Sequence, residues 1–231
     1  MSIFNKISTI TGFITLGISA GIYIYTRYKY QLKLDQFDLH NIIIGDNIFI
    51  IGKKNTGKST LISKITNYFK DIPISIIINP TETLERFYKD KNVIVNSSYR
   101  TDIIANFIQN QKDNINSHII EDNEAFIILD NCLLDTELND LNLTDLLING
   151  YFYRTINIIS SAITLSNSIK TNVDYLFMFK DTHNLNKTNL YQEYFSTIVD
   201  YEEYNRLFNL YTKDHQCIVI DFKNGGKLYY F

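Results

Sequence analysis

The sequence of 231 residues has no tryptophan, only two prolines and only two cysteines. Cys132 and Cys217 are too few for a disulfide framework and too far apart for a zinc knuckle, so we expect free thiols in a reducing compartment. The four histidines do not fall into an H-E-x-x-H pattern or another paired-ligand spacing. These absences exclude a small disulfide-rich secreted protein and give no indication of a His/Cys metal site.

The chain also lacks a strong excess of charge of either sign. It has 22 Lys+Arg and 25 Asp+Glu, a formal net charge of −3. Because proteins bind duplex DNA mainly through basic surfaces that neutralise phosphates, this balance argues against free DNA binding. A hydrophobic share of 45% excludes a disordered chain. The 38 isoleucines and 26 asparagines, beside four alanines, are the bias expected from an AT-rich genome.

An uncharged stretch covers residues 7–26. A helix of about 20 residues spans the hydrocarbon core of a bilayer, so the stretch is long enough for a transmembrane helix. Three basic residues follow it, Arg27, Lys29 and Lys33, against Lys6 before it, which favours a cytoplasmic position for the rest of the chain. A helix that packs on the domain or lies at an interface, and a cleaved signal peptide, are the alternative interpretations.

We therefore predict two parts. Residues 1–40 hold the hydrophobic helix and a linker, and residues 41–231 form one domain of ordinary size. The predicted location is a membrane, with residues 41–231 on its cytoplasmic side.

Apolar runs alternate with amphipathic stretches through the second part. The runs predict strands at Asn47–Ile51, Ile74–Asn79, Asn92–Val95, Ala125–Asp130, Thr155–Ser160, Tyr175–Phe179 and Cys217–Phe222. The amphipathic stretches predict helices at Lys58–Phe69, Thr101–Ile115, Leu138–Gly150 and Leu190–Leu210, the last with a break near Asp200. Strands that alternate with helices of this length predict an α/β fold, with a mostly parallel sheet covered by helices on both faces.

Residues Gly52–Ser59 read G-K-K-N-T-G-K-S and match the phosphate-loop pattern G-x-x-x-x-G-K-[ST]. The pattern directly follows a predicted strand and opens a predicted helix, which is the context that phosphate binding requires. Backbone N–H groups of such a loop wrap a phosphate, and the helix N-terminus adds positive potential. Lys58 can then reach the β- and γ-phosphates of a nucleotide, and the Ser59 hydroxyl can ligate Mg²⁺.

A second motif follows at Ala125–Asp130, an apolar run that ends in an acidic residue. A buried central strand of this kind places its last residue at the carboxyl edge of the sheet, where ligands bind in α/β folds. Asp130 can hold Mg²⁺ there through its water shell. Together with Gly52–Ser59, it predicts a P-loop NTPase.

At this point the chain resembles the DNA-packaging ATPases of the large nucleocytoplasmic DNA viruses, the poxvirus-type branch of the FtsK–HerA superfamily. The resemblance runs from Asn47 to Phe231. Besides Gly52–Ser59, it rests on the segments Ile78–Glu82 with Phe87 and Tyr88, Phe126–Leu133, Asn149–Gly150, Lys170–Phe177 and Cys217–Asp221.

The resemblance implies a RecA-like ATPase core, in an oligomeric motor that uses ATP and Mg²⁺ to drive double-stranded DNA into a capsid. Carried over by position, Gly52, Lys53, Lys54, Asn55, Thr56, Gly57, Lys58, Ser59 and Thr60 bind the triphosphate. Ser59 and Asp130 hold Mg²⁺, while Asp130, Asn131 and Ser160 occupy the catalytic positions.

The chain departs from the family pattern in three places. Asn131 stands where the family has a second acid. Near the position of Ser160 the family carries a glutamine that senses the γ-phosphate, and this chain has no glutamine there. Tyr151 and Phe152 replace an Arg-His pair, with Arg154 close by as a substitute cation. An amide orients water but cannot accept its proton, so the departures predict a diverged paralogue that binds nucleotide. Two functions stay open: a packaging ATPase completed by another subunit in a homo- or hetero-oligomeric ring, and a membrane-anchored structural or regulatory partner with little or no hydrolysis.

Overall fold

The computed structural model describes residues 32–80, 94–117, 123–133, 139–162, 167–181 and 183–231. The chain divides into two compact units, Met1–Lys33 and Leu34–Phe231. All elements below lie in the second unit. Leu34 and Phe37 are buried in its core, so residues 34–40 pack with the domain that the sequence predicts from residue 41 onward.

The described residues form one sheet of nine strands in the order β1-β9-β8-β7-β2-β6-β5-β3-β4. The strands are β1 (Asp35–Gln36), β2 (Asn47–Ile51), β3 (Ile74–Ile78), β4 (Ile94–Asn96), β5 (Ala125–Asp130), β6 (Thr155–Ser161), β7 (Tyr175–Phe179), β8 (Cys217–Asp221) and β9 (Lys227–Tyr230). Neighbours pair in parallel except at β7–β8 and β8–β9, so β8 alone among these strands runs in the reverse direction.

Helices follow most of the parallel strands. They are α1 (Lys58–Tyr68), α2 (Thr101–Ser117), α3 (Leu141–Asn149), α4 (Asn167–Lys170), α5 (Asn184–Leu190) and α6 (Tyr201–Tyr211). A 3₁₀ turn at Leu39–Asn41 precedes β2, and a π-helical turn at Tyr191–Phe195 joins α5 to the loop before α6.

Two apolar layers, one on each face of the sheet, hold the helices in place. The face of α1 with Leu61, Ile62 and Ile65 packs in one layer. The other layer contains α2, α3 and α6, each with a stripe of buried residues at helical spacing. The central strands β2, β5, β6, β7 and β8 are buried along their whole length, which explains their near-continuous apolar sequence.

The structure confirms the predicted α/β fold with its mostly parallel sheet and helices on both faces. All seven predicted strands are present. β3 ends at Ile78, β6 extends to Ser161 and β8 ends at Asp221, while β4 is described from Ile94 to Asn96. Within Leu190–Leu210, the part before the predicted break is the end of α5, the π-helical turn and a loop, and the part after it is α6. The predicted break near Asp200 is confirmed: its carboxylate accepts a hydrogen bond from Glu203 N at 2.8 Å and caps α6.

The predicted transmembrane helix at residues 7–26 lies outside the residues that the structure describes. Among the helices that are described, none has the length and apolar character needed to cross a bilayer. The membrane anchor therefore stays a prediction from the sequence.

Candidate functional site

The phosphate-loop motif lies where the sequence predicts it, between β2 and α1. β2 lies between β6 and β7 in the centre of the sheet, and its carboxyl end leads directly into Gly52. Helix α1 begins at Lys58, so the N–H groups of its first turn, which includes Ser59 and Thr60, have no partner within the helix. The loop thus places free backbone donors and the positive end of a helix dipole at the edge where α/β folds bind ligands.

Two glycines give the loop its shape. Gly57 has a φ of 116°, a left-handed conformation that residues with a side chain rarely adopt. A Cβ on Gly52 would lie 2.6 Å from Thr56 Oγ1 and 2.9 Å from Phe179 Cβ, too close for any larger residue. These constraints explain why the motif needs glycine at both positions.

Lys58 is held inside the loop and is only 6% exposed. Its ammonium group donates hydrogen bonds to the carbonyl oxygens of Gly52, at 2.6 Å, and of Lys53, at 3.1 Å. Burial lowers the pKa of Lys58, and the negative charge of Asp130 opposes that shift. Lys58 follows β2 and Asp130 ends β5, so both lie at the carboxyl edge of the sheet, with β6 between their strands.

Asp130 ends β5 and is 2% exposed. One carboxylate oxygen accepts hydrogen bonds from the Ser160 hydroxyl and from Asn131 Nδ2, the latter at 3.1 Å. The other oxygen accepts from Asn79 Nδ2 at 3.1 Å. Burial raises the pKa of Asp130, while the hydrogen bond from Ser160 and the charge of Lys58 lower it. The three candidate catalytic residues therefore form one cluster, and Asn79 joins it as a residue that the motif does not identify.

The donors at this edge fit Mg²⁺. The ion prefers oxygen ligands and is usually held by one or two protein groups together with phosphates and water, so a hydroxyl at Ser59 and a carboxylate at Asp130 are a sufficient set. Within the described ranges, no group of three or more His, Cys, Asp or Glu side chains is placed to hold a metal ion. A Mg²⁺ ion here would depend on the nucleotide for its remaining ligands.

The raised pKa of Asp130 makes a prediction about stability. A carboxyl group whose pKa is higher in the folded than in the unfolded protein makes the fold less stable as pH rises between those two values. Asp130→Asn removes this titration, so without nucleotide the stability of the variant relative to that of the wild type should increase as pH rises between those two values. Denaturant unfolding of both proteins should show a difference that grows from pH 4 upward and then levels off; a difference that does not change with pH would contradict the prediction.

Contacts from distant segments hold the outside of the loop. Lys53 Nζ forms an ion pair with Asp181 Oδ1 at 2.8 Å, just beyond the end of β7. Burial raises the pKa of Asp181, but the hydrogen bonds from Lys53, from the His183 N–H and from Asn186 outweigh it and lower the pKa overall. His215 Nδ1 lies 3.2 Å from the Thr56 carbonyl oxygen. The local sequence pattern does not predict these two contacts. The remaining loop residues, Lys54 and Asn55, are exposed.

Arg154 lies at the opposite edge of the sheet. It precedes β6, whose seven residues span about 20 Å, and its guanidinium pairs with Glu124 at 2.9 Å. Arg154 therefore does not bring a cation to the phosphate loop of its own chain in place of the family's Arg-His pair. The neighbouring Tyr151 and Phe152 side chains are exposed, at 69% and 71%.

The segment Lys170–Phe177 also lies at that far edge where it leads into β7. Asn47 N donates to Asp174 Oδ2, and Asn47 Nδ2 donates to the Asn172 carbonyl, both at 2.8 Å. These contacts fix the start of β2 relative to β7 and give the segment a structural role. Thr81, Glu82, Phe87 and Tyr88, which belong to the resemblance, lie outside the described residues.

Comparison with known sequences finds relatives in large DNA viruses. The chain is 32% identical to protein 075L of Invertebrate iridescent virus 6 over 190 residues, which cover 80% of this chain and 73% of the relative. It is 26% identical to protein L437 of Acanthamoeba polyphaga mimivirus over 204 residues, 83% of this chain and 72% of that protein. No family model matches the chain.

Comparison with solved structures identifies the fold. The genome-packaging NTPase B204 of Sulfolobus turreted icosahedral virus 2, in complex with ATP-gammaS, aligns with a TM-score of 0.54 over 80% of this chain and 95% of that one. B204 of Sulfolobus Turreted Icosahedral Virus, a DNA-packaging ATPase, aligns with a TM-score of 0.53 over 82% and 98%. Sequence identity is 17% in both cases, so the likeness establishes a shared fold.

Proposed function

The chain belongs to the family of viral proteins that includes protein 075L of Invertebrate iridescent virus 6, and from its fold and site we propose that it binds ATP with Mg²⁺ and acts in viral genome packaging. The observation that carries the proposal is the position of Lys58 and Asp130 at the same edge of the sheet, at the carboxyl ends of β2 and β5 with β6 between those strands. A lysine in a phosphate loop and an acid one strand away are the two charges that a bound Mg²⁺-nucleotide needs. The same arrangement supports a RecA-like core.

Each residue has a defined part in this function. The backbone of Gly52–Thr60 and the Lys58 ammonium bind the triphosphate, and Ser59 with Asp130 holds Mg²⁺, which neutralises charge on the phosphates. Asn79 and Ser160 hold the Asp130 carboxylate from both sides through their hydrogen bonds. Lys53 fixes the loop against Asp181.

For the motor function, ATP hydrolysis would drive double-stranded DNA into the capsid as part of an oligomer. B204 is described as a DNA-packaging ATPase and shares this fold. Arg154 lies at the far edge of its own sheet, paired with Glu124, and does not supply a cation for the transition state; in an oligomer, another subunit would supply it. The net charge of −3 gives DNA binding no support from the chain as a whole.

A second candidate function is favoured by Asn131. Its amide donates a hydrogen bond to Asp130 and cannot accept a proton from water. A protein that binds ATP but turns it over slowly would act through its conformation, as a structural or regulatory partner, and residues 7–26 would anchor it to a membrane.

The decisive experiment is calorimetric titration of the full chain with ATP, with and without Mg²⁺. We expect Mg²⁺ to tighten binding in the wild type, and Asp130→Asn to reduce that enhancement about tenfold or more, because an interaction with a charged group is lost. Binding without Mg²⁺ should remain.

Glu124→Gln is the matched control for this titration. It neutralises the carboxylate just before the other end of β5 and should leave the Mg²⁺ enhancement unchanged. The proposal is wrong if the wild type does not bind ATP, or if both variants respond to Mg²⁺ as the wild type does.

A further inference from the structure

A cavity of about 300 Å³ opens beside the phosphate loop, on its β7 side. Its lining residues come from the loop, from the end of β7 and from the turn between α6 and β8. They are Asn55, Thr56, Lys180, Thr212, Asp214 and His215. The cavity thus joins the candidate nucleotide site to a segment that the phosphate-loop motif does not include.

The turn that forms the outer wall has an unusual backbone. Asp214 and His215 have φ values of 50° and 65°, and Gln216 N donates to the Lys213 carbonyl at 2.8 Å, which are the φ signs and the hydrogen bond of a type I′ turn. Such turns normally carry glycine or asparagine and connect two strands, because left-handed residues with larger side chains are strained. Here a helix precedes the turn, and histidine occupies the position that favours glycine.

The strained turn places the imidazole directly against the loop. His215 Nδ1 is 3.2 Å from the Thr56 carbonyl oxygen, and a Cβ on Gly57 would be 3.2 Å from His215 Cβ. His215 is an exposed residue. A flat, exposed side chain held next to a phosphate-binding loop is suited to stacking on an aromatic ring.

The position of Asp130 sets the direction of a bound nucleotide. In a phosphate-loop site, the acid that would hold Mg²⁺ lies at the γ-phosphate end of the nucleotide. Asp130 and Ser160 lie on the β6 side of β2, so the γ-phosphate end points to that side. The nucleoside end must then leave the loop on the other side, toward β7 and the cavity.

We propose that this cavity binds the purine base of the nucleotide, with the His215 ring as its stacking wall. The inference rests on the proposed nucleotide binding at Gly52–Thr60 and adds the subsite for the base. The Lys180 ammonium and the Asp214 carboxylate, both exposed and charged at its rim, provide a donor and an acceptor for the edge of the ring.

The test compares ATP with inorganic tripolyphosphate, which has the phosphates but no base. Both ligands are titrated with Mg²⁺ into the full chain, in the wild type, His215→Asn and His215→Gly. Asparagine and glycine tolerate the left-handed backbone and remove the ring, so the turn should be kept. We expect about a fivefold or greater loss of ATP affinity in both variants, with tripolyphosphate affinity unchanged.

Two further variants make the result specific. His40→Ala removes an exposed imidazole in the 3₁₀ turn before β2 and should leave both affinities unchanged. Lys58→Ala should weaken both ligands, because both carry the phosphates.

The subsite is wrong if the wild type binds tripolyphosphate as tightly as ATP, if the His215 variants bind ATP normally, or if they weaken both ligands equally. Those results leave the proposed function standing as long as Lys58→Ala lowers affinity. If Lys58→Ala changes neither affinity, the proposed function itself fails.

Discussion

Replacing Lys58 by alanine should reduce ATP affinity about 100-fold or more, the largest loss expected from any single side chain of the site. The ammonium is confined by its burial within the loop, where it can contact phosphate oxygens with little further loss of side-chain freedom. Hydrogen bonds between charged groups each contribute about 1.5–3 kcal/mol, and the lysine of such a loop reaches two phosphates. The change is measured by calorimetry or by displacement of a fluorescent nucleotide.

The loss should come from the site and not from unfolding. Burial already lowers the pKa of Lys58, so the folded protein gives up hydration of the ammonium to keep it there. Removing the charge relieves this cost and offsets the two lost hydrogen bonds to the loop carbonyls. We therefore expect the free energy of unfolding without nucleotide to change by less than about 1 kcal/mol.

Two variants serve as controls for Lys58→Ala. Lys58→Met keeps the aliphatic stem inside the loop and should lose affinity to a similar extent. Lys54→Ala removes the neighbouring, exposed lysine of the same loop and should bind ATP nearly as the wild type does. Equal affinities for Lys58→Ala and the wild type would contradict the assignment of the site.

The elements that the sequence predicts well are those whose pattern is local. β2, β5 and β7 have the predicted bounds because each is a short apolar run that is buried along its whole length. The phosphate loop is predicted for the same reason, since its glycines, lysine and serine are adjacent in the chain.

The two strands that the sequence analysis does not predict are short and lie at one end of the sheet, β1 at its edge and β9 between β1 and β8. β1 consists of two exposed residues and is part of the sheet through its parallel pairing with β9. β9 follows a turn with positive φ at Gly225 and Gly226, and the Asn-Gly-Gly sequence there was the available signal for a hairpin with β8.

The contacts around the site show where sequence reasoning ends. Asn79 reaches Asp130 across a sequence separation of 51 residues, and His215 reaches Thr56 across 159. Neither pair has a local spacing that would bring it together. The resemblance includes Asn79 in Ile78–Glu82 without giving it a role, so its contact with Asp130, like that of His215 with Thr56, is revealed by the strand order and the turn before β8. Ser160 is a partial case: the resemblance marks its position, and the structure gives it the role of a donor to Asp130, opposite it in the sheet register.

The second large effect concerns turnover, where Asn131→Asp should raise ATP hydrolysis by about 100-fold over the wild type. A carboxylate at this position can accept the proton of an attacking water, and general-base assistance of this kind contributes about 10²–10⁴ in rate. Asn131 is exposed, and its φ is 51°, a conformation that aspartate tolerates as asparagine does. The backbone, held by the hydrogen bond from Asn131 N to the Ser160 carbonyl at 2.9 Å, should therefore stay in place.

The measurement is phosphate release by the full chain at saturating ATP and Mg²⁺, with and without double-stranded DNA. Asn131→Ser removes the amide without adding an acid and should stay at the wild-type rate. Asp130→Asn combined with Asn131→Asp should lose the gain, because the Mg²⁺ ligand is gone. Affinity for ATP should remain close to the wild-type value in the single variants.

The outcome separates the two candidate functions. A wild type that hydrolyses ATP vigorously when DNA is present would contradict the slow partner and support a motor whose base comes from elsewhere. A gain on Asn131→Asp would show that the rest of the site is built for catalysis and that one amide limits it.

Adding the family's glutamine by Ser160→Gln should not raise the rate further. Ser160 is 1% exposed and hydrogen-bonded to Asp130, so a larger side chain costs about 1–3 kcal/mol of packing and releases the carboxylate. We therefore expect Asn131→Asp to hydrolyse ATP faster than the wild type does. The double variant Asn131→Asp with Ser160→Gln should be slower than Asn131→Asp alone.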